Sequence, residues 1–433
     1  MKSINKITVV VFFVIVSFVA YGQKITISNP NDYEAAVYYF PQWHIDSQNV
    51  KTHGYAWTEW ETLKNAKPRF EGHQQPKVPL WGYEDEADPK VMSKKIEFAS
   101  SHGIDVFLYD WYYRNNGPFL QRCLDEGFLK AKNKSKMKFA IMWANHWEIT
   151  PATFDSVIDI CVNKYFKDSS YWMIDGCPYF SIYQMYTFIN SFGSIEKAKQ
   201  ALDKFRAKTK AAGFKDLHLN AMQWGLHIPD NMPAKDANEL IDLFDINSVD
   251  TYVWIHHTEM PEFLVTTYDY MMKKAFEYWY SASHKFKVPY HPNVTMGWDA
   301  SPRCDTNKPW VKGEYPYFSV LVGNTPDKFK KSLLQAKEFM DAKNAAHKII
   351  TINSWNEWTE GSYLEPDMIN KMKYLDAIKE VLHLVKILSK RRVLQSCNTS
   401  GTGSTYTNWF AMDDEKQISI HCTMCTHLCM ERT

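Results

Sequence analysis

Net charge is nearly absent from this chain of 433 residues: 50 Lys plus Arg face 49 Asp plus Glu, a formal balance of +1. Without a basic excess, binding to nucleic acid is not expected. Beyond residue 22 there is no long apolar run, so the remainder should make no stable membrane insertion. No 20–50-residue repeat is visible, which argues against a solenoid. No glycine-rich phosphate loop follows the first apolar strand, and this disfavours a doubly wound nucleotide-binding sheet. D-x-D and H-E-x-x-H spacings are missing too. His44, His73, His146, His256 and His257 share no ligand spacing, so neither a metal nor another cofactor is expected.

What the chain does have is apolar and aromatic. Apolar residues make up 45%, enough for a large core, and aromatics 15%, with 16 Trp, 25 Tyr and 25 Phe. Such aromatics fit a packed core or flat platforms for C–H-rich ligands. Residues 1–22 read as an export signal. Lys2 and Lys6 form the positive region, an apolar run of about a dozen residues follows, and Ala20-Tyr21-Gly22 offers a cleavage site before Gln23. No Cys follows that run to carry a lipid. Removing these residues takes away two Lys and no acid, leaving 48 basic against 49 acidic residues. The expected location is the periplasm or the medium, with an uncleaved membrane anchor as the competing reading. Eight Cys are present; an oxidising compartment permits disulfides, whose pairing the sequence does not reveal.

Strands are expected at 35–41, 105–111, 138–144, 179–183, 217–222, 246–254, 288–298 and 348–355. Helical patterns lie between them at 90–102, 194–212 and 325–344, with weaker ones at 155–164, 236–244 and 267–280. Gly103 and Gly213 close the first two, and Thr325-Pro326-Asp327 opens the third. Eight strands with intervening helices give a single (β/α)8 TIM-type barrel with loop insertions. In such a barrel, chemistry sits where the strands end.

Those ends are rich in polar and aromatic residues: Gln42-Trp43-His44, Asp110-Trp111-Tyr112-Tyr113, Trp143-Ala144-Asn145-His146-Trp147-Glu148, Tyr252 with Trp254 to His257, Trp298-Asp299, and Trp355-Asn356-Glu357-Trp358-Thr359-Glu360. One ligand-binding face explains the recurrence better than packing alone. The expected ligand contacts are Trp43, His44, Trp60, Asp110, Trp143, Asn145, His146, Glu148, Tyr252, Trp298, Trp355, Asn356 and Trp358. Glu59 reads either as a further sugar contact or as a surface acid. Three Glu within nine residues, Glu357, Glu360 and Glu365, are interleaved with two Trp and a Tyr. Glycoside cleavage needs a protonated acid beside a second carboxylate and a platform for the ring. Solvated loop acids remain the bland alternative.

Four segments, in order over about residues 35–385, resemble the glycoside hydrolase family 99-like, or WbsX-like, proteins. They are Tyr38-Tyr39-Phe40-Pro41-Gln42-Trp43-His44; Gly54 to Trp60 with Phe70 to Pro76; Met142 to Trp147 with Ile174 to Tyr179; and Asn353 to Pro366, preceded by Gly323-Asn324-Thr325-Pro326. The resemblance implies a (β/α)8 barrel acting on a poly- or oligosaccharide, with catalysis by two Glu of the N-E-W-x-E-G motif. These match Glu357 and Glu360. It implies Glu360 as acid/base on the glycosidic oxygen, and Glu357 assisting attack by the substrate's own 2-hydroxyl, with net retention. A WbsX-type glycosyltransferase and a non-catalytic glycan-binding barrel are the alternatives. Nucleotide-sugar donors are cytoplasmic, so an export signal argues against the first.

The organisation expected is thus a signal at 1–22, a catalytic domain at 23–392, and an unstructured tail at 393–433. That tail holds His421-Cys422, Cys425, His427 and Cys429, with zinc on the C-x-x-C as the weaker reading.

Overall fold

The computed structural model describes residues 33–226 and 236–383. The expected export signal and the cysteine-bearing tail lie outside them. Eight parallel strand positions close a barrel: β1 (Tyr33–Tyr39), β2 (Val106–Arg114), β3 (Lys138–Trp143), β4 (Cys177–Ile182), β5 (His218–Met222), β6 (Ser248–Asp250), β7 in two pieces (Tyr290–His291 and Asn293–Thr295), and β8 (Lys348–Asn353). Each overlaps one of the expected runs.

A continuous strand over 288–298 was expected, but Pro292 splits it. Proline has no N–H to give the ladder. The first piece pairs with β6 (Tyr290 opposite Val249) and the second with β8 (Asn293 opposite Thr351). The break thus closes the ring by letting β7 change neighbours. On the other side β8 pairs with β1, with Ala36 opposite Thr351.

The helices form where their capping chemistry allows. In α1 (Pro89–Ser101), Asp88 accepts from the Lys90 N–H and Pro89 opens the first turn. Ser194 caps α2 (Ile195–Ala211) through Lys197 N–H, and Thr325 caps α3 (Pro326–Lys343) through Lys328 N–H. Asn344 ends α3 in the left-handed conformation, φ 48°. Satisfied first-turn donors and strict stops made these three the clearest helices in the sequence.

The barrel interior is partly polar. Tyr38 and Tyr179 donate their hydroxyls to Asp250 Oδ2 at 3.0 and 3.4 Å. Asp250 has no exposure, and burial pushes its carboxyl up to about 7 despite those two donors. Among the described residues no helix is long and apolar enough to cross a membrane. Cys123, Cys161, Cys177 and Cys304 are unpaired thiols.

Candidate active site

β8 runs into a short hairpin, Asn356–Glu357 against Ser362–Tyr363, closed by a 3-10 turn over Trp358–Glu360. In a 3-10 turn, side chains three apart lie nearly over one another. The spacing of Glu357 and Glu360 therefore aims both carboxyls the same way, into a cavity of about 560 Å3 at the C-terminal end of the barrel. Its walls include Phe40, Asp110, Tyr112, His146, Tyr183, Trp224, Tyr252, His256, Trp298 and Phe318.

Two glycines seat the hairpin. Gly361 turns at φ 67°, and a Cβ there would lie 2.6 Å from Asp299 Cβ; one on Gly297 would lie 2.5 Å from the Gly361 carbonyl oxygen. Without side chains at these points, the loop after β7 packs directly on the hairpin. Asp299 N–H bonds the Glu360 carbonyl at 2.5 Å. The Asp299 carboxylate is held in turn by His73 Nε2 at 2.8 Å and Gln75 Nε2 at 2.7 Å. Because His73 Nδ1 accepts from Arg69 N–H, its ring proton sits on Nε2 and is donated to Asp299.

One arginine organises the carboxyls. Arg303 Nη2 contacts Glu357 Oε1 at 2.6 Å, Nη1 contacts Glu360 Oε1 at 2.5 Å, and Nε reaches Glu59 Oε1 at 3.3 Å. Tyr315 gives its hydroxyl to Glu360 Oε1 at 2.9 Å. The Tyr252 hydroxyl donates to Asp110 Oδ2 at 2.9 Å, and its oxygen lies 3.3 Å from Glu357 Oε2. Burial raises both Glu carboxyls above their ordinary value, and Arg303 opposes the rise. On Glu357 the neighbouring Glu360, Asp110 and Glu59 carboxyls add to the effect of burial. Tyr315 instead favours the charged form of Glu360. Asp110 is also held well above the carboxylate range, first by burial. Glu357, Glu360 and Asp110 are thus all pushed toward the protonated form, and they titrate as a set rather than one residue at a time.

Six of the expected site residues meet in this cavity: Glu357, Glu360, Asp110, His146, Tyr252 and Trp298. The others do not face it. Trp43, Trp60 and Trp358 form a buried aromatic stack beneath the hairpin, with Trp43 on Trp60 at 4.0 Å and Trp358 on Tyr363 at 3.7 Å. The Trp43 and Trp60 indole N–H groups go to the Asn356 and Glu84 carbonyls. Trp355 packs on Phe107 inside the protein, so neither Trp355 nor Trp358 shields the two Glu from water directly. Trp143 points outward against Phe154 and Phe188, since alternate strand residues face opposite sides. Asn145 exchanges hydrogen bonds with the Gln184 backbone, tying β3 to β4. Asn356 does the same with the Phe40 backbone and also donates to Glu86 at 2.9 Å. His44 is fully buried with neither ring nitrogen partnered among the described residues, and burial lowers it to about 4. Glu148 is exposed and outside the cavity walls.

Arg303 and Tyr315 were not anticipated. Arg303 lies in a 3-10 turn, Ser301–Arg303, four residues past the expected end of β7 at Trp298-Asp299, in the loop that the barrel rule marks for chemistry.

The family described as Glycosyltransferase WbsX matches residues 35–378. Two curated relatives, both named Uncharacterized protein WxcX, come from Xanthomonas campestris pv. campestris. The strain B100 protein is 24% identical over 364 residues, covering 80% of this chain and 49% of its own length. The chain thus spans about half the length of the curated relatives it matches. Among solved structures, a GH99 endo-alpha-mannosidase from Bacteroides thetaiotaomicron superposes with TM-score 0.51 and 15% identity, over 83% of this chain and 98% of that one. A glycoside hydrolase-like protein gives TM-score 0.51 and 15% identity over 81% and 94%. Both share the barrel fold.

Proposed function

The chain belongs to the Glycosyltransferase WbsX family, and from that membership and the site geometry we propose that it is an exported glycoside hydrolase cleaving a poly- or oligosaccharide with retention. The observation that carries the reading is the buried Glu357–Glu360 pair, clamped on one guanidinium at the C-terminal mouth of the barrel. Burial holds a carboxyl protonated at neutral pH, as a general acid requires. Aromatic rings line the space into which the pair projects.

In the proposed reaction one Glu gives its proton to the glycosidic oxygen as the bond to the anomeric carbon breaks. The other accepts the proton of the substrate's 2-hydroxyl, whose oxygen attacks that carbon to give a 1,2-anhydro sugar; water then adds at the same carbon, losing a proton to the first Glu, while the second Glu returns its proton to the departing 2-oxygen. Glu360 is taken as the donor, on the resemblance, and Glu357 as the acceptor.

A reducing-sugar assay over isolated polysaccharides tests the reading, with nuclear magnetic resonance of the first-formed anomer reporting retention. Dependence on the leaving group separates the roles. If Glu360 is the acid, Glu360→Gln keeps turnover on activated aryl glycosides and loses it on natural linkages. The opposite pattern assigns the acid to Glu357. The family's description favours transferase chemistry as a second reading. Turnover of nucleotide sugars, without release of reducing ends from any glycan, supports it over hydrolysis. Export rests on residues 1–22, and N-terminal sequencing of mature protein should begin near Gln23.

A further inference from the structure

The cavity continues into a second lobe of about 470 Å3; the two share Phe40, Tyr112, His146, Arg303 and Tyr315. This second lobe holds a cation that no acid among the described residues pairs with. Arg114 ends β2, where the chain turns back so that Arg114 lies opposite Gly117. Its guanidinium carbon lies 4.1 Å from the Phe119 ring centre and 3.9 Å from that of Trp147. With aromatic rings on both sides, the planar group is held in one orientation and only its edge, which carries the N–H donors, is left for a ligand.

Its surroundings leave that edge uncompensated. Arg114 Nε is buried without a hydrogen-bond partner among the described residues. Asp46 acts on it through space, yet the Asp46 oxygens already accept from Gln48 N–H at 2.8 Å and Leu120 N–H at 3.2 Å. Glu59 lines the lobe but is engaged by Arg303. Asn49, buried in the same wall, leaves its Nδ2 unpartnered. Loss of solvent lowers the Arg114 pKa, as for a cation still lacking its anion. Across the shared wall the balance is reversed, for Glu357, Glu360 and Asp110 crowd the first lobe.

We propose that Arg114 binds an oxyanion substituent of the glycan, a carboxylate, sulfate or phosphate, so that the substrate of this cleft is an acidic saccharide. This rests on reading the cleft as glycan-active. A guanidinium edge meets an oxyanion through two parallel hydrogen bonds, which a neutral sugar hydroxyl does not match. The carboxyls of the first lobe repel the same group. Attraction on one side and repulsion on the other fix which way the chain lies across Glu357 and Glu360.

Ligand-observed nuclear magnetic resonance on the full chain tests this with four matched probes: glucose, glucuronate, glucose 6-sulfate and glucose 6-phosphate. At least one acidic probe should bind about 10-fold more tightly than glucose at low salt, as a charge-assisted hydrogen bond implies. The gap should shrink as salt rises. Which acid binds best identifies the substituent. Arg114→Met keeps a linear apolar side chain between the two rings and should abolish the gap; Arg114→Lys should retain part of it, with circular dichroism confirming that both fold. Equal binding of acidic and neutral probes, no binding of any, or a gap that survives Arg114→Met would overturn the proposal. The gap should persist in Glu360→Gln. A gap without cleavage of any glycan therefore defeats only the hydrolase reading, and cleavage of neutral glycans without a gap defeats only this one.

Discussion

Two clusters, each built from one cation and several carboxyls, lie on either side of the same hairpin, and they do opposite work. At the cavity, Arg303 holds Glu59, Glu357 and Glu360, and its side chain keeps 20% exposure. Behind the hairpin, Lys95 contacts Glu86 and Glu365, each at 2.5 Å, with only 1% exposure. The hairpin joins them: Asn356 donates to Glu86, and Trp358 Nε1 donates to Glu365 at 2.8 Å. The charge types match; access differs. A guanidinium open to the cavity can release its carboxyls to a ligand, whereas an ammonium without solvent can only hold them. The inner cluster is therefore a fixed seat for Asn356 and Trp358, the residues on either side of Glu357. Its own balance is tight, since burial raises Glu86 to about 7 even beside Lys95.

The contrast breaks most visibly in turnover. Glu360→Gln should lower turnover on any cleaved natural glycan by about 10²–10⁴-fold, with an unchanged melting curve. Lys95→Met should do the reverse, costing about 3–5 kcal/mol of stability by stranding two buried carboxyls, as denaturant titration would show. Neutralising the inner cluster completely, with Lys95→Met, Glu86→Gln and Glu365→Gln together, should recover much of that loss. If the triple variant is no better than the single one, the inner cluster has a role beyond charge balance.

Asp250 supplies a baseline, a buried carboxyl with tyrosine donors and no ion pair among the described residues. Its folded-state pKa is raised, to about 7, so between about pH 4 and 7 the folded protein binds a proton that the unfolded chain has released. Stability from this group falls as pH rises through that window and then levels off. Asp250→Asn should remove the slope, narrowing the stability difference between pH 5 and pH 8 by about 2–3 kcal/mol. Thermal unfolding across that range measures it. Arg303→Met gives the smallest displacement. Arg303 lowers both Glu pKa values, so its loss should move the acidic limb of the rate profile upward by about 1 pH unit. A downward move would contradict the electrostatic order described above.

Much of this architecture was legible because local rules decide it. Caps at Asp88, Ser194 and Thr325 and β-branched runs such as Lys348–Asn353 need no long-range information. The carboxyl pair was legible for a similar reason, because three-residue spacing becomes a common direction once the turn is 3-10. The aromatics misled. Trp43, Trp60, Trp143, Trp355 and Trp358 share the composition of a sugar platform, yet each is spent on packing, and strand parity alone turns Trp143 to the outer layer. Arg303 and Tyr315 reach the site through tertiary folding of the loop after β7, where no short-range pattern marks them. Pro292 was visible, but its effect appears only when β7 must serve two neighbours.

The contact between Gly297 and Gly361 bears on how this protein can be recombined with its relatives. The loop after β7 and the hairpin after β8 touch backbone to backbone, at points where a single methyl group would collide. A chimera that imports residues 353–366 alone brings a hairpin shaped for another partner loop. Residues 293–303 and 353–366, separated by a whole helix in sequence, form one exchangeable cassette, and a crossover placed between them divides a unit that must be inherited together.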